Sequence, residues 1–347
     1  MESRALAFDI PQELIAQHPA ASREEARMMV LHRSSGNIEH RKFFEFPDYL
    51  NAEKDILVLN ASRVIRAKLP GKREKGTGKV EILLVRRLGK NLWKVLLKPS
   101  RRVKEGEKIF FEQNLTGRIV RKYPHGEAEM EFPGAGDLTG RIEQVGLTPL
   151  PPYIKRRDRT FEDVDRERYQ TVYADRDGSV AAPTAGMHFT RKILENIRKR
   201  DIASAMVTLH VGPGTFRPIR TERVEDHRLE SEYYQVSGDT CLKLSEAFRK
   251  NKHVLAVGTT TTRTLETIGK DGFMRGDAVE GWTDLFIYPP FRFTVVNHML
   301  TNFHLPGSSL LALVAAFAGL EPIRNAYRLA VEKKYRFYSY GDCMLIL

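Results

Sequence analysis

The chain has 347 residues, with 56 Lys and Arg against 44 Asp and Glu and a formal net charge of +12. Hydrophobic residues make up 41% and charged residues 29%. Those proportions fit a globular protein with a core and exclude a disordered chain, a collagen-like repeat or a disulfide-stapled miniprotein.

Length alone predicts about two domains. In chain order, Asp9-Ile10-Pro11 predicts a helix start, with Glu13, Leu14 and Ile15 behind it. Residues 55–65, DILVLNASRVI, read as a buried strand running into a polar turn. From 66 to 152 the texture changes. KVEILLVRR, NLWKVLLK, KIFFEQ, GRIVRKY and GEAEMEF alternate apolar and charged residues, with Gly, Pro and Asn between them. Such spacing predicts a small antiparallel barrel or sandwich, with Val80, Ile82 and Leu84 inward and Lys79 and Glu81 outward.

The charge is concentrated in the same region. Residues 61–110 hold 16 Lys/Arg and only four acids, Glu74, Glu81, Glu105 and Glu107, so this stretch carries the whole imbalance. A local basic field points to a polyanionic partner, either nucleic acid or an anionic membrane surface.

Pro149, Pro151 and Pro152 then mark a stiff connector and a module boundary at TPLPPYIKRRD. Beyond it, strands and helices alternate. RKILENIRKR, CLKLSEAFRKN (capped by Asp239 or Thr240), SLLALVAAFAGL and PIRNAYRLAVEKK read as helices, and IASAMVTLHV and HVLAVGT as strands. The expected architecture is therefore an α/β domain, 1–65 plus 153–347, with a small antiparallel barrel domain inserted at 66–152.

Cys241 and Cys343 do not make a disulfide framework and suit a reducing cytosol. MESRALAFDI lacks the apolar core of a signal peptide, and the longest apolar run, 310–318, is about half a bilayer span. A cytoplasmic, soluble protein is expected.

Most cofactor-binding motifs are absent from the sequence. Gly71 and Gly76 have the first spacing of a phosphate loop, but Thr77 stands where Lys is required. Gly212 and Gly214 begin a dinucleotide fingerprint that Arg217 breaks. No metal-binding motif is present, and neither a metal nor a nicotinamide cofactor is expected.

Four segments are rich in small, polar and His residues. In SVAAPTAGMHFT, the small residues around Pro183, Thr184, Ala185 and Gly186 let a backbone approach a ligand, and His188 can exchange a proton. In VTLHVGPGTFRP, a strand delivers His210 to a turn containing Gly212, Gly214 and Thr215. In VLAVGTTTTRTLETI, Thr259 and Thr260 open a helix whose N-terminus suits an anion, with Arg263 one turn on. In MLTNFHLPGSS, Asn302 and His304 share one side of an extended segment. For each, a plain structural turn or cap is the competing explanation.

Taken with FDIPQELIAQHP, LNASRVIRAKL, TNFHLPGSSLLALVAAFAG and YRFYSYGDCMLI, these segments are found in the same order in one family. Nearly end to end, the chain resembles the S-adenosylmethionine:tRNA ribosyltransferase-isomerase family of queuosine biosynthesis. It departs from the usual family pattern at Ala61, Arg66, Leu229, Glu230 and Pro290.

The resemblance implies transfer and isomerisation of the ribosyl part of S-adenosylmethionine onto 7-aminomethyl-7-deazaguanine at the tRNA wobble position. Epoxyqueuosine forms, and adenine and methionine leave. S-adenosylmethionine is then a consumed substrate rather than a cofactor, and family members are described as monomeric and metal-free.

Under this reading His188, His210 and His304 are the candidates for proton transfer. Asp342 is expected to hold a cationic amine or the sulfonium, and Arg263 to pair with the methionine carboxylate. The four loops, with Asn302 and Tyr340, are expected to bind substrate. Arg63, Lys72, Arg73, Arg101, Arg102, Lys155, Arg156 and Arg157 are placed near the RNA phosphates, and Tyr153 is expected to stack on an unpaired base. Two other readings compete: a noncatalytic RNA-binding protein, and an S-adenosylmethionine-dependent RNA methyltransferase. The second requires a glycine-rich loop after the first α/β strand, which this chain lacks.

Overall fold

The computed structural model describes residues 1–75, 78–134 and 136–347. Gly76 and Thr77, the positions that bear on the phosphate-loop pattern, lie outside the described residues.

A nine-stranded sheet forms the larger layer. Its spatial order is Val279–Thr283, Glu232–Val236, Ala203–Leu209, Asp55–Asn60, His253–Val257, His298–Asn302, Cys343–Ile346, Arg27–Leu31 and Ile38–Lys42. The four strands from Ala203–Leu209 to His298–Asn302 are mutually parallel. Their sequences explain why. Asp55–Asn60 is buried at every position, as a strand covered on both faces must be. Successive side chains point to opposite faces. Ile56, Val58, Val254, Ala256, Met29 and Met344 enter one core cluster, with the helices Gly238–Arg249, Thr259–Met274, Ser309–Ala318 and Leu320–Glu332. Leu57, Leu59, Leu255, Val257, Met28 and Cys343 enter a second, with Phe43, Phe46, Phe189 and the helix Arg191–Lys199.

The region of alternating short runs closes into a six-stranded barrel. Lys68–Arg73, Lys79–Arg87, Leu92–Lys98, Lys108–Phe110, Thr116–Lys122 and Glu127–Glu131 pair antiparallel all the way round. Closure leaves no free sheet edge. Val80, Ile82 and Leu84 are buried in the interior while Lys79 is exposed. The helix Leu138–Val145 adds Leu138, Ile142 and Val145 to that core, and the Asp137 carboxylate caps it by accepting from the Gly140 N–H. Truncating a core residue such as Ile82 to Ala is expected to cost about 2–5 kcal/mol.

Two local expectations are corrected. The segment after Pro11 makes only a three-residue 3₁₀ turn, Gln12–Leu14, because Ile15 is drawn into a bridge with Phe337. The helix Gly238–Arg249 is capped neither by Asp239 nor by Thr240; the Ser237 side chain accepts from the Thr240 N–H one turn earlier.

Candidate active site

Four parallel strands that share a direction end at one edge of the sheet. In open α/β sheets that edge is where ligands gather. Here the ends deliver Asn60, His210, Gly258 with Thr259, and Asn302 with His304. Buried Asn60 ties the edge together. Its Nδ2 donates to the Leu209 carbonyl (3.1 Å) and to Thr260 Oγ1 (3.3 Å), and its Oδ1 accepts from Leu209 N (3.1 Å) and Ser62 N (3.0 Å).

Between this edge and the barrel lies a cleft of about 530 Å³. Ile65, Arg86, Trp93, Lys94 and Glu143 line its barrel side. Gly178, His210, Gly212, Gly214, Thr215, Glu232, Tyr233, Arg263 and Trp282 line the other. A smaller cavity of about 40 Å³ shares Val211, Thr215 and Leu310 with the cleft. Its walls include Pro183, Thr184, Ala185, Thr259, Thr260, Asn302 and His304. Residues from four distant parts of the chain therefore line two neighbouring cavities that share three wall residues.

The three histidines have different surroundings. His210 is on the cleft wall. Its Nδ1 lies 2.8 Å from Ser62 Oγ, and its ring is stacked at 6.0 Å from Tyr233. The short strands Ser62–Val64 and Arg176–Ser179 pair beside it and bring Gly178 against the ring. A Cβ on Gly178 would come within 2.8–2.9 Å of three ring atoms, and its φ of +145° is one that L side chains rarely adopt. Burial lowers the His210 pKa, partly offset by the Asp177 carboxylate.

His304 is enclosed in the small cavity, where its Nε2 lies 2.6 Å from Thr301 Oγ1. Burial pushes its pKa down to about 3. His188 lines a separate hollow with Arg23, Arg168 and Tyr340, and its Nε2 lies 3.3 Å from Asn302 Nδ2. Its pKa falls to about 3 through burial first, then Arg23 and Arg336. Asn302 Nδ2 also donates to the Tyr338 carbonyl (3.1 Å), while its buried Oδ1 has no hydrogen-bond partner among the described residues.

Other expected residues have internal duties. Arg263 reaches the cleft wall, but its guanidinium pairs with Glu232 and donates to the carbonyls of Leu285 and Thr283. That geometry uses the face a methionine carboxylate needs. Asp342 accepts from the backbone N–H groups of Arg27 (2.9 Å) and Arg336 (2.8 Å), and burial raises its pKa. It borders neither the cleft nor the small cavity. Tyr340 donates to Asp165 at 2.9 Å, and Gly186 is buried against Tyr173 and Thr171.

The expected RNA contacts divide in the same way. Lys72, Arg101, Arg102, Lys155 and Arg157 are exposed. Arg63 is half-exposed, 3.4 Å from Asp177. Arg73 is bound bidentately by Glu107 (2.9 and 3.1 Å) and Arg156 by Asp165 (2.6 and 2.8 Å). Tyr153 packs on Tyr338 at 4.7 Å, bonds Ser339 Oγ at 2.6 Å and walls the small cavity, so its ring is not a surface platform.

Several site residues escape the sequence reading. Ser62 orients His210. Glu232 accepts from Gly212 N (2.8 Å) and Thr215 Oγ1 (3.3 Å), fixing the glycine turn. Trp282, 51% exposed, stands in the cleft with Tyr233 at 5.5 Å and the Arg86 guanidinium over its ring at 5.0 Å. An isolated Glu and Trp in an ordinary strand carry no local signal. Arg86 lies in the basic block, so its charge is a signal the sequence does carry.

An α/β sheet whose loop-bearing edge faces a basic barrel across a cleft lined by His210, Glu232 and Arg263 defines an α/β enzyme with an added barrel. Residues 3–346 match the family model described as "Queuosine biosynthesis protein", and the chain belongs to that family. A protein of Halothermothrix orenii named S-adenosylmethionine:tRNA ribosyltransferase-isomerase is 47% identical over 98% of both chains. One of the same name from Staphylococcus haemolyticus is also 47% identical over 98% of both. A crystal structure of an S-adenosylmethionine tRNA ribosyltransferase from Thermotoga maritima covers 99% of this chain and 100% of its own, with 37% identity and a TM-score of 0.56.

Proposed function

We propose that this chain is a tRNA-modifying enzyme that transfers and isomerises the ribosyl moiety of S-adenosylmethionine onto 7-aminomethyl-7-deazaguanine at the wobble position. The product is epoxyqueuosine, with release of adenine and methionine. The observation that carries the reading is the cleft of about 530 Å³ between the basic barrel and the loops at the sheet edge. It offers a polyanion a cationic wall of Arg86, Arg87 and Lys94, and it offers a small molecule polar groups from His210, Thr215 and Glu232 on the facing wall.

In this proposal His210 exchanges the proton. The sulfonium acidifies the ribose 5′ hydrogens, and a neutral imidazole with Nδ1 held by Ser62 presents Nε2 as the base. His188 and His304, with pKa values near 3, stay neutral at physiological pH and act as fixed hydrogen-bonding groups. Asn302 Oδ1, a buried acceptor without a partner among the described residues, accepts from a substrate N–H or O–H. Arg263 acts through Glu232 to shape the glycine turn. Trp282 and Tyr233 stack on a base. Lys72, Arg101 and Arg102 add phosphate contacts.

S-adenosylmethionine is consumed and no resident cofactor is invoked. A tRNA substrate implies work in the cytoplasm, and the likeness to the family supports a monomer. No helix among the described residues is long and apolar enough to cross a membrane.

The test is incubation with S-adenosylmethionine and tRNA bearing the 7-aminomethyl base, followed by mass analysis of the nucleoside. Ribosyl addition supports the proposal. Methyl addition would favour a methyltransferase, and binding without any mass change a noncatalytic RNA-binding protein.

A further inference from the structure

The edge of the sheet opposite the cleft carries a separate grouping. Asp55, His253 and His298 begin three adjacent parallel strands, with His253 paired to Asp55 and His298 paired to Leu255 in register. The two imidazole rings are perpendicular at 5.0 Å, and His253 Nδ1 lies 3.7 Å from Asp55 Oδ1. One donor atom from each of the three residues lies within 4.8 Å of the others.

The geometry points to a zinc site formed by Asp55, His253 and His298, with water completing the shell.

Three features of the structure support it. The buried Nδ1 of His298 has no hydrogen-bond partner among the described residues, and an orphaned buried nitrogen is costly unless something binds it. The Asp55 carboxylate is oriented, because its Oδ2 accepts from the Asn51 N–H at 2.7 Å while Oδ1 faces His253. Such outer hydrogen bonds are what fix a carboxylate for metal ligation. Two imidazoles and one carboxylate also suit zinc better than calcium or magnesium, which favour all-oxygen shells.

Zinc–ligand bonds of about 2.0–2.2 Å set tetrahedral donors roughly 3.4 Å apart. The donors here must therefore draw in by about 1 Å, and the His253 side chain, 49% exposed, is free to do so. Arg33 is the nearby cation, and its guanidinium is turned onto the carbonyls of Leu347, Phe317 and Asn297. The site ties together the starts of three central strands and is independent of the reaction proposed at the other edge.

The experiment uses the full chain stripped with a chelator and titrated calorimetrically with zinc, beside His253→Ala and His298→Ala. The expected result is one zinc per wild-type chain at micromolar or tighter affinity, weakened about tenfold or more in each variant. Zinc is also expected to raise the melting temperature of the wild type alone. His253→Ala removes a half-exposed side chain, so its loss of binding cannot be ascribed to unfolding. No stoichiometric uptake by the wild type, or equal uptake by all three proteins, would overturn the assignment.

Discussion

Gly178→Ala is the sharpest perturbation of the cleft. The new methyl carbon would sit 2.8–2.9 Å from three atoms of the His210 ring, where ordinary contact begins at 3.4 Å. The ring must therefore retreat by about 0.5 Å or more, and a misplacement approaching 1 Å costs on the order of 10²-fold in rate. The backbone adds its own penalty. Holding Ala at a φ of +145° is expected to cost about 1–3 kcal/mol of stability. The two effects separate in a double-mutant cycle. His210→Ala alone is expected to reduce kcat about 10²- to 10⁴-fold, and adding Gly178→Ala to it should change kcat no further. The assay is single-turnover adenine release under saturating tRNA, with melting temperatures recorded in parallel. A folded Gly178→Ala protein with wild-type kcat would refute the reasoning, and so would two fully additive substitutions.

Other expectations follow from the same geometry. Rate should fall on acidification as His210 protonates, with the midpoint below the ordinary 6.5 because burial lowers its pKa; Asp177→Asn should move that midpoint lower still, since Asp177 raises it. His188 and His304 bind protons more weakly folded than unfolded, so their contribution is complete above pH 6.5 and is lost as pH falls toward about 3. His304→Gln should accordingly flatten the dependence of the urea midpoint on pH over that window. Reversing Lys72, Arg101 and Arg102 should weaken tRNA binding and reduce its salt slope by about 0.7–0.9 for each phosphate no longer neutralised. Arg156→Ala should behave differently. The ion pair it breaks has side chains only 15% and 2% exposed, so a stability loss of about 3–5 kcal/mol is expected with an unchanged salt slope. Trp282→Ala should leave the melting temperature intact and weaken substrate RNA binding by about 1–3 kcal/mol, the worth of one stacked base.

The elements legible in the sequence are those whose signal is local. Asp55–Asn60 and His253–Val257 read as strands because a run apolar on both faces has few other uses. Lys79–Arg87 shows its inward face through strict alternation. The four loops stand out because Gly, Thr and His cluster at strand exits. What stays hidden depends on pairing across the fold. Nothing near His210 announces that Ser62 holds its Nδ1 or that Gly178 must lack a side chain. Arg73 and Arg156 read as free cations in the sequence, although Glu107 and Asp165 neutralise them in space. Arg263 looks like a carboxylate receptor until Glu232 is seen beside it. The grouping of Asp55, His253 and His298 has no motif spacing, since parallel pairing alone assembles it. The short turn Gln12–Leu14 shows the converse, a helix signal overridden by a bridge to Phe337.

In the proposed reaction the ribose of S-adenosylmethionine, not its methyl group, passes to tRNA in this cleft. Two isotopic forms of S-adenosylmethionine test it most directly, one labelled in the ribose and one in the methyl group. Each is incubated with wild-type protein and with His210→Ala. The expected result is ribose label in the tRNA, methyl label in free methionine, one adenine released per base modified, and strong slowing in the variant. Methyl label in the tRNA, or ribose transfer at the wild-type rate by His210→Ala, would contradict it.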